Sequence, residues 1–336
     1  MSIRPLVVVT DHLAEAGVER TVLEPFADVR LLQTHDEAVV ARYGADADVL
    51  LVFHDIKITD RSIARLNRCK GIIRCGVGYD NVDIRAAGGH GIVVCNVPDY
   101  GTEEVADHAI LMLLAIARRL LVCGRAVRAG GWDVTTAFGA PRLRGRTLGL
   151  IGCGRIGTAT ALRAKTFGLR VLIYDPYQPD GLEKALAIER CHKLEDLLRQ
   201  SEFVSIHCPL TSETRHILNA ETLKLLPRGA YVVNTARGPC IDNTALLEAL
   251  DRGHVSYAAL DVLEQEPPPE DDRLRTHPRV LLTPHVAFYS VEGFAEMRTK
   301  GAEEARRLIQ GEPVRNPVNL PYLTNARAVL PKPPAV

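Results

Sequence analysis

Residues 147–175 read TLGLIGCGRIGTATALRAKTFGLRVLIYD, and the fold follows from how this stretch must run. An apolar run (Leu148, Leu150, Ile151) stops at Gly152, and the spacing Gly152-x-Gly154-x-x-Gly157 follows. An Ala- and Leu-rich segment leads to a second apolar run, Val171, Leu172 and Ile173, that ends at Asp175. The order is strand, tight turn, helix, strand. In a dinucleotide site each residue type has a job. Gly152 permits the sharp turn, Gly154 lets the backbone approach a pyrophosphate without a Cβ, and Gly157 lets helix and strand pack closely. The N–H groups of the helix N-terminus then face the phosphates. Asp175 is placed to accept hydrogen bonds from a ribose diol and to repel a 2′-phosphate, which favours NAD over NADP. An ordinary glycine-rich βα turn is the alternative for the bare motif; the flanking strands, the helix and the terminal acid all agree with the dinucleotide.

Outward from this stretch, 336 residues suffice for about two domains of ordinary size. Forty-one basic and 41 acidic residues leave no net charge, so nothing points to nucleic acid or an anionic membrane surface. The N-terminal apolar stretch is too short for a signal segment, and no uninterrupted run approaches the length of a membrane span. The expectation is a cytoplasmic protein. Eight scattered cysteines without a C-x-x-C pair read as reduced, partly buried thiols.

The first hundred residues alternate apolar runs (6–9, 49–53, 71–75, 91–97) with amphipathic segments, the mark of an open parallel α/β sheet. Two loops invite a functional reading. In residues 74–81, RCGVGYDN, a strand ends in a turn whose backbone N–H groups could meet an anion, although a plain βα turn is the simpler reading of those residues alone. Residues 96–104 carry Pro98 and Gly101, with Thr102 as expected N-cap of a long apolar helix over 105–121, so a domain crossover is placed near residue 100. Residues 122–146 are basic, contain Trp132, show little regular pattern, and read as an arm on a neighbour or a surface loop. After the fingerprint the rhythm continues through 203–208, 230–235, 257–262 and 280–284, so six or more parallel strands are expected in a doubly wound sheet. A last helix over 291–310 leads to a Pro-rich end, PKPPAV, expected to be poorly ordered.

Ligands in such sheets sit beyond the C-terminal strand ends. Arg237, Asp261 with Glu266, and His285 all fall at such ends. An imidazole with a pKa near 6.5 can exchange the proton that a carbonyl oxygen needs when its carbon gains a hydride. A carboxylate on the other ring nitrogen fixes the tautomer, and a guanidinium holds a substrate carboxylate by two parallel bonds. Each residue alone has a bland alternative: a structural ion pair for Arg237, a solvated loop acid for Glu266, a strand-end histidine for His285.

Together, RCGVGYDNVD (74–83), GLIGCGRIG (149–157), HCPLTSET (207–214), VVNTARG (232–238), ALDVLEQEP (259–267) and LLTPHVA (281–287) resemble the D-isomer-specific 2-hydroxyacid dehydrogenases, over about residues 45–318. Within that family VCNVPDYGTEEVAD (94–107), ALRAKTFGLRVLIYDPY (161–177) and HVAFYS (285–290) are most similar to the C-terminal-binding-protein branch. The resemblance implies two Rossmann-like parallel-sheet domains, one flavodoxin-like and one doubly wound, with a cleft between them. It implies a discontinuous substrate domain (1–101 plus 291–336), an NAD-binding domain (102–290), and a homodimer held through a helix and arm at about 103–146. It also implies His285 as acid/base, Glu266 as its partner, and Arg237 on the carboxylate and carbonyl of a 2-oxo or 2-hydroxy acid. Val77 and Gly78 would hold the carboxylate with Arg74 and Phe288 near the substrate. Val77, Arg155, Ile156, Asp175, Cys208, Thr214, Thr235, Ala236, Asp261 and His285 would line NAD beside Gly152, Gly154 and Gly157. Phe288 stands where the corepressor branch has tryptophan, so the ligand preference of that branch does not carry over. The absence of a long tail or a C-terminal regulatory domain reads as a plain, unregulated enzyme. An NADH-responsive dimeric protein-binding module with vestigial catalysis is the alternative of a different class.

Overall fold

Strands buried on both faces read as continuous apolar runs, because helices cover a parallel sheet on each side. That is the environment of the first hundred residues. In the computed structural model, which describes residues 4–332, β1 (Leu6–Val9), β2 (Asp28–Leu31), β3 (Val49–Val52), β4 (Gly71–Arg74) and β5 (Val93–Asn96) form one parallel sheet. Its order is β2-β1-β3-β4-β5, and every residue of β3, β4 and β5 is buried. β2 has no counterpart among the apolar runs: its DVRL sequence is an edge strand of alternating exposed and half-buried residues. The last four residues of the Pro-rich end lie outside the described residues.

The chain divides into two compact units, residues 1–101 with 290–336, and residues 102–289. The helix Val291–Gln310 belongs to the first. Ser290 caps it by accepting the Gly293 N–H at 2.8 Å, and Gly311 ends it in a left-handed conformation. It packs on the helix Gly17–Leu23, β3 and β4. An ion pair fastens the two helices, with Nε and Nη2 of the half-buried Arg298 on the two oxygens of the buried Glu19 at 2.8 and 2.7 Å.

The second unit holds β6 (Thr147–Ile151), β7 (Arg170–Tyr174), β8 (Glu189–Arg190), β9 (Phe203–Ile206), β10 (Ala230–Asn234), β11 (Val255–Leu260) and β12 (Val280–Leu282). All are parallel, in the order β12-β11-β10-β9-β6-β7-β8. β8, two residues at the edge, is also unmarked in the sequence. The helix Arg155–Thr166 packs against the helix Thr102–Ala117.

Two expectations for the following segment need correction. Thr102 is the first helical residue, not the N-cap, and Glu103 and Glu104 complement the helix dipole in the first turn. The helix stops at Ala117 because Arg119 is left-handed (φ 54°), and a second helix, Leu120–Arg128, follows. The arm therefore has regular structure, including a 3-10 turn at Val134–Ala137 capped by Asp133. Its apolar side chains stay exposed: Leu120 60%, Trp132 90%, Val134 76% and Phe138 64%. Among the described residues no helix is long and apolar enough to cross a membrane.

Candidate active site

In the second unit the strand order reverses between β6 and β9, and open α/β sheets take ligands at such a reversal. The fingerprint sits there. Gly152 leaves β6 at φ 96°, and a Cβ on it would lie 2.6 Å from the Cys208 nitrogen at the end of β9. A Cβ on Gly157 would meet the Gly152 carbonyl at 2.3 Å, so the helix can lie this close to the turn only with glycine there. Gly154, the N-cap of that helix, has open space where a Cβ would be. Arg155, exposed, and Ile156, half-buried, form the first helical turn. Asp175 closes the turn, accepting the N–H groups of Cys153 (2.8 Å) and Tyr177 (3.0 Å).

Across the reversal, burial pushes the His207 imidazole down to about 4, so the ring is neutral at physiological pH, and it shares a hydrogen bond with the Ser205 hydroxyl at 2.9 Å. Cys208 is buried; its hydrogen bond with Cys240 and its burial both push the thiol far up, so it packs rather than reacts. Thr214 donates to the Pro209 carbonyl at 2.6 Å and accepts the Thr211 N–H, which ties its hydroxyl into the turn. Thr235 is different. It is buried at the end of β10, its Oγ1 has no partner among the described residues, and half-buried Ala236 follows. Such an orphan calls for a ligand that brings the missing hydrogen bond. With the open face of Gly154 and the N–H groups beside it, the residues fit a dinucleotide.

The chemistry-bearing residues lie at the ends of β10, β11 and β12. Asn234 fixes the loop after β10 by donating to the Arg237 carbonyl at 2.8 Å. Gly238 then touches the next loop: a Cβ on it would fall 1.9 Å from the Leu263 carbonyl carbon and oxygen. From that second loop Leu263 N–H donates to Glu266 Oε1 at 2.9 Å, and Glu266 Oε2 meets His285 Nδ1 at 2.7 Å. Burial pushes the Glu266 carboxyl up, but the His285 hydrogen bond and charge, the Leu263 N–H and the Arg237 charge outweigh it, leaving the group below the ordinary carboxylate range. His285 has a left-handed backbone (φ 54°), and Phe288 stands edge-on to its ring at 6.3 Å.

Asp261 holds that unusual loop. It is buried, and its carboxylate accepts the Thr283 hydroxyl (2.5 Å) and the N–H groups of Val286 (3.0 Å) and Ala287 (2.9 Å), while its carbonyl accepts the His285 N–H (2.8 Å). Sequence reasoning missed His108, whose Nε2 lies 3.1 Å from the Thr283 hydroxyl. It also missed a second couple, His216 Nε2 with Glu264 Oε1 at 2.5 Å. The two acids of Glu264-Gln265-Glu266 are the available signal.

In the first unit Arg74 ends β4, and Val77 and Gly78 follow in the loop beyond it. The buried Arg74 guanidinium folds beneath Gly76, where a Cβ would sit 1.5 Å from Nη1, and donates to the Cys75 carbonyl at 2.8 Å. Val97 N–H and Asn96 Nδ2 donate to the Gly76 and Val77 carbonyls at 3.0 and 2.7 Å, so the carbonyls of this turn are turned inward.

Comparison with known proteins agrees with this geometry. Residues 110–287 match the family model "D-isomer specific 2-hydroxyacid dehydrogenase, NAD binding domain". The D-3-phosphoglycerate dehydrogenase of Methanocaldococcus jannaschii is 37% identical over 317 residues, 94% of this chain and 60% of that protein. The chain spans about three-fifths of the length of the curated relatives it matches, 60% and 59% for the phosphoglycerate dehydrogenases of M. jannaschii and Bacillus subtilis. Among solved structures, the TT0316 protein of Thermus thermophilus superposes with a TM-score of 0.84 at 34% identity, covering 93% of this chain and 99% of that one. An NADPH-dependent glyoxylate/hydroxypyruvate reductase of Sinorhizobium meliloti, in complex with NADP and malonate, gives 0.84 at 31% identity, covering 94% and 97%. The chain belongs to the D-isomer-specific 2-hydroxyacid dehydrogenase family, and its second unit is an NAD-type dinucleotide-binding domain.

Proposed function

We propose that the protein catalyses reversible hydride transfer between NAD(H) and a D-2-hydroxy acid/2-oxo acid pair. The observation that carries this reading is the 2.7 Å contact of His285 Nδ1 with Glu266 Oε2, whose other oxygen is already held by the Leu263 N–H. The carboxylate holds the proton on Nδ1 and leaves Nε2 as the exchanging atom. NAD(H), when bound, supplies or accepts the hydride. In reduction the carbonyl carbon gains the hydride and His285 Nε2 gives its proton to the carbonyl oxygen; in oxidation Nε2 takes that proton back. Arg237 holds the carboxylate and polarises the carbonyl. In the first unit the Val77 and Gly78 N–H groups, with Arg74 beneath the turn, would suit a carboxylate; in the second unit Phe288 would border the substrate side chain and Asp261 would contact the nicotinamide carboxamide.

Asp175 supports NAD rather than NADP, because a carboxylate at the end of β7 repels a 2′-phosphate. The motifs at 94–107, 161–177 and 285–290 support a place beside the C-terminal-binding-protein branch. The exposed apolar side chains of the arm support a homodimer, since a patch of this kind marks an interface. Eight free thiols support a cytoplasmic location. The test is His285→Gln, which is expected to keep NADH binding and lose turnover of 2-oxo acids. Unimpaired turnover sinks the assignment.

A further inference from the structure

The first unit has a reversal of its own. Its order changes direction between β1 and β3, and parallel sheets place ligands beyond the carboxyl ends of the strands at that point. His12 lies just beyond β1; His54 and Asp55 lie just beyond β3. The proposed reaction uses none of them.

Their side chains converge. His12 Nδ1 is 3.3 Å from Asp55 Oδ2, His54 Nε2 is 2.9 Å from Asp55 Oδ1, and one donor atom from each residue lies within 4.8 Å of the others. A tetrahedral ion with ligand bonds of about 2.0–2.2 Å holds its donors roughly 3.3–3.6 Å apart, so small side-chain rotations close this set around one ion. The backbone that carries it is fixed from below. Asp11 is 1% exposed, and its two oxygens accept the N–H groups of Phe53 (2.8 Å) and Asp55 (2.9 Å), which ties the ends of β1 and β3 together. His12 adopts a left-handed backbone (φ 67°), uncommon for any residue but glycine, and its ring stacks on Phe53 at 5.8 Å. His35 Nδ1, 4.0 Å from Asp55 Oδ2, is within reach as a fourth ligand.

We infer that His12, His54 and Asp55, with His35 at hand, form a binding site for a divalent transition-metal ion of the zinc type. Imidazoles with one carboxylate select zinc, cobalt or nickel over the oxygen-seeking magnesium and calcium. The bound ion clips the ends of β1 and β3, and this holds whether or not the dehydrogenase reading does.

The experiment is calorimetric titration of metal-free, tag-free full-length protein with Zn2+, followed by Co2+ as a spectroscopic probe. One ion per chain is expected, with cobalt absorption typical of nitrogen and oxygen ligands. Asp55→Asn and His12→Gln are each expected to weaken Zn2+ binding about 100-fold, at least the effect of losing an outer-shell partner, with the circular dichroism spectrum unchanged. His54→Asn serves as the readout if either variant fails to fold. No saturable Zn2+ binding, binding undiminished in the variants, or a cobalt–thiolate charge-transfer band overturns the site.

Discussion

Replacing Glu266 by Gln tests the acid/base assembly through hydrogen-bond direction alone. Both oxygens of Glu266 accept, one from Leu263 N–H at 2.9 Å and one from His285 Nδ1 at 2.7 Å. A glutamine has a single acceptor oxygen. If it faces Leu263, its NH2 faces His285 and forces the proton to Nε2, the wrong tautomer for taking a proton from a hydroxyl. If it faces His285, NH2 opposes the Leu263 N–H and the loop must move. In either arrangement the ion pair with protonated His285 is gone. A hydrogen bond to a charged partner contributes roughly 1.5–3 kcal/mol. Glu266 keeps 36% of its side-chain surface, so water competes for it and the lower part of that range applies. About 2 kcal/mol lost from the transition state lowers kcat/KM roughly 30-fold, with the tautomer change adding to this. The assay is steady-state NADH oxidation with a 2-oxo acid, with NADH affinity measured separately by fluorescence. A kcat/KM within about threefold of the parent, less than 1 kcal/mol, refutes the coupling of Glu266 to His285.

Gly238→Ala places a Cβ 1.9 Å from the Leu263 carbonyl, so the two loops must separate; a loss of at least about 1–3 kcal/mol in chemical denaturation is expected, together with lost turnover. Desolvation keeps the half-buried His207 neutral, its pKa depressed from 6.5 to about 4, so the stability it contributes is complete above pH 6.5 and drains away as pH falls toward 4. The loss is at most about 3 kcal/mol, and a His207→Gln variant should show a flatter stability curve across that window. Asp175→Asn removes the charge at the end of β7 and an acceptor for either Cys153 or Tyr177 N–H, so NADH kcat/KM should fall about tenfold while the NADH-to-NADPH preference narrows. An unchanged preference places the discrimination elsewhere.

What the sequence made legible follows burial. Strands β3, β5, β9 and β10 are buried on both faces, so continuous apolar runs mark them, and the fingerprint glycines sit where close backbone approaches demand them. The edge strands β2 and β8 bury little, and no pattern betrays them. The break at Arg119 is equally silent, because a left-handed arginine inside an apolar helical pattern has no local signature. In the site, Arg237, Glu266 and His285 are readable as residue types at strand ends. The way Asp261 holds the His285 loop is not, since it depends on N–H groups 25 and 26 residues away that any sequence would offer.

The central claim is hydride transfer, and the most direct measurement follows the hydride itself. The protein is mixed with NADH carrying deuterium at the transferable C4 position and a panel of 2-oxo acids, and the products are examined by mass spectrometry and NMR. The account predicts deuterium on C2 of a D-2-hydroxy acid, one per NADH consumed, and none with the His285→Gln variant. Firm NADH binding with no label transferred to any acid contradicts it, and would favour a module that responds to NADH without catalysis.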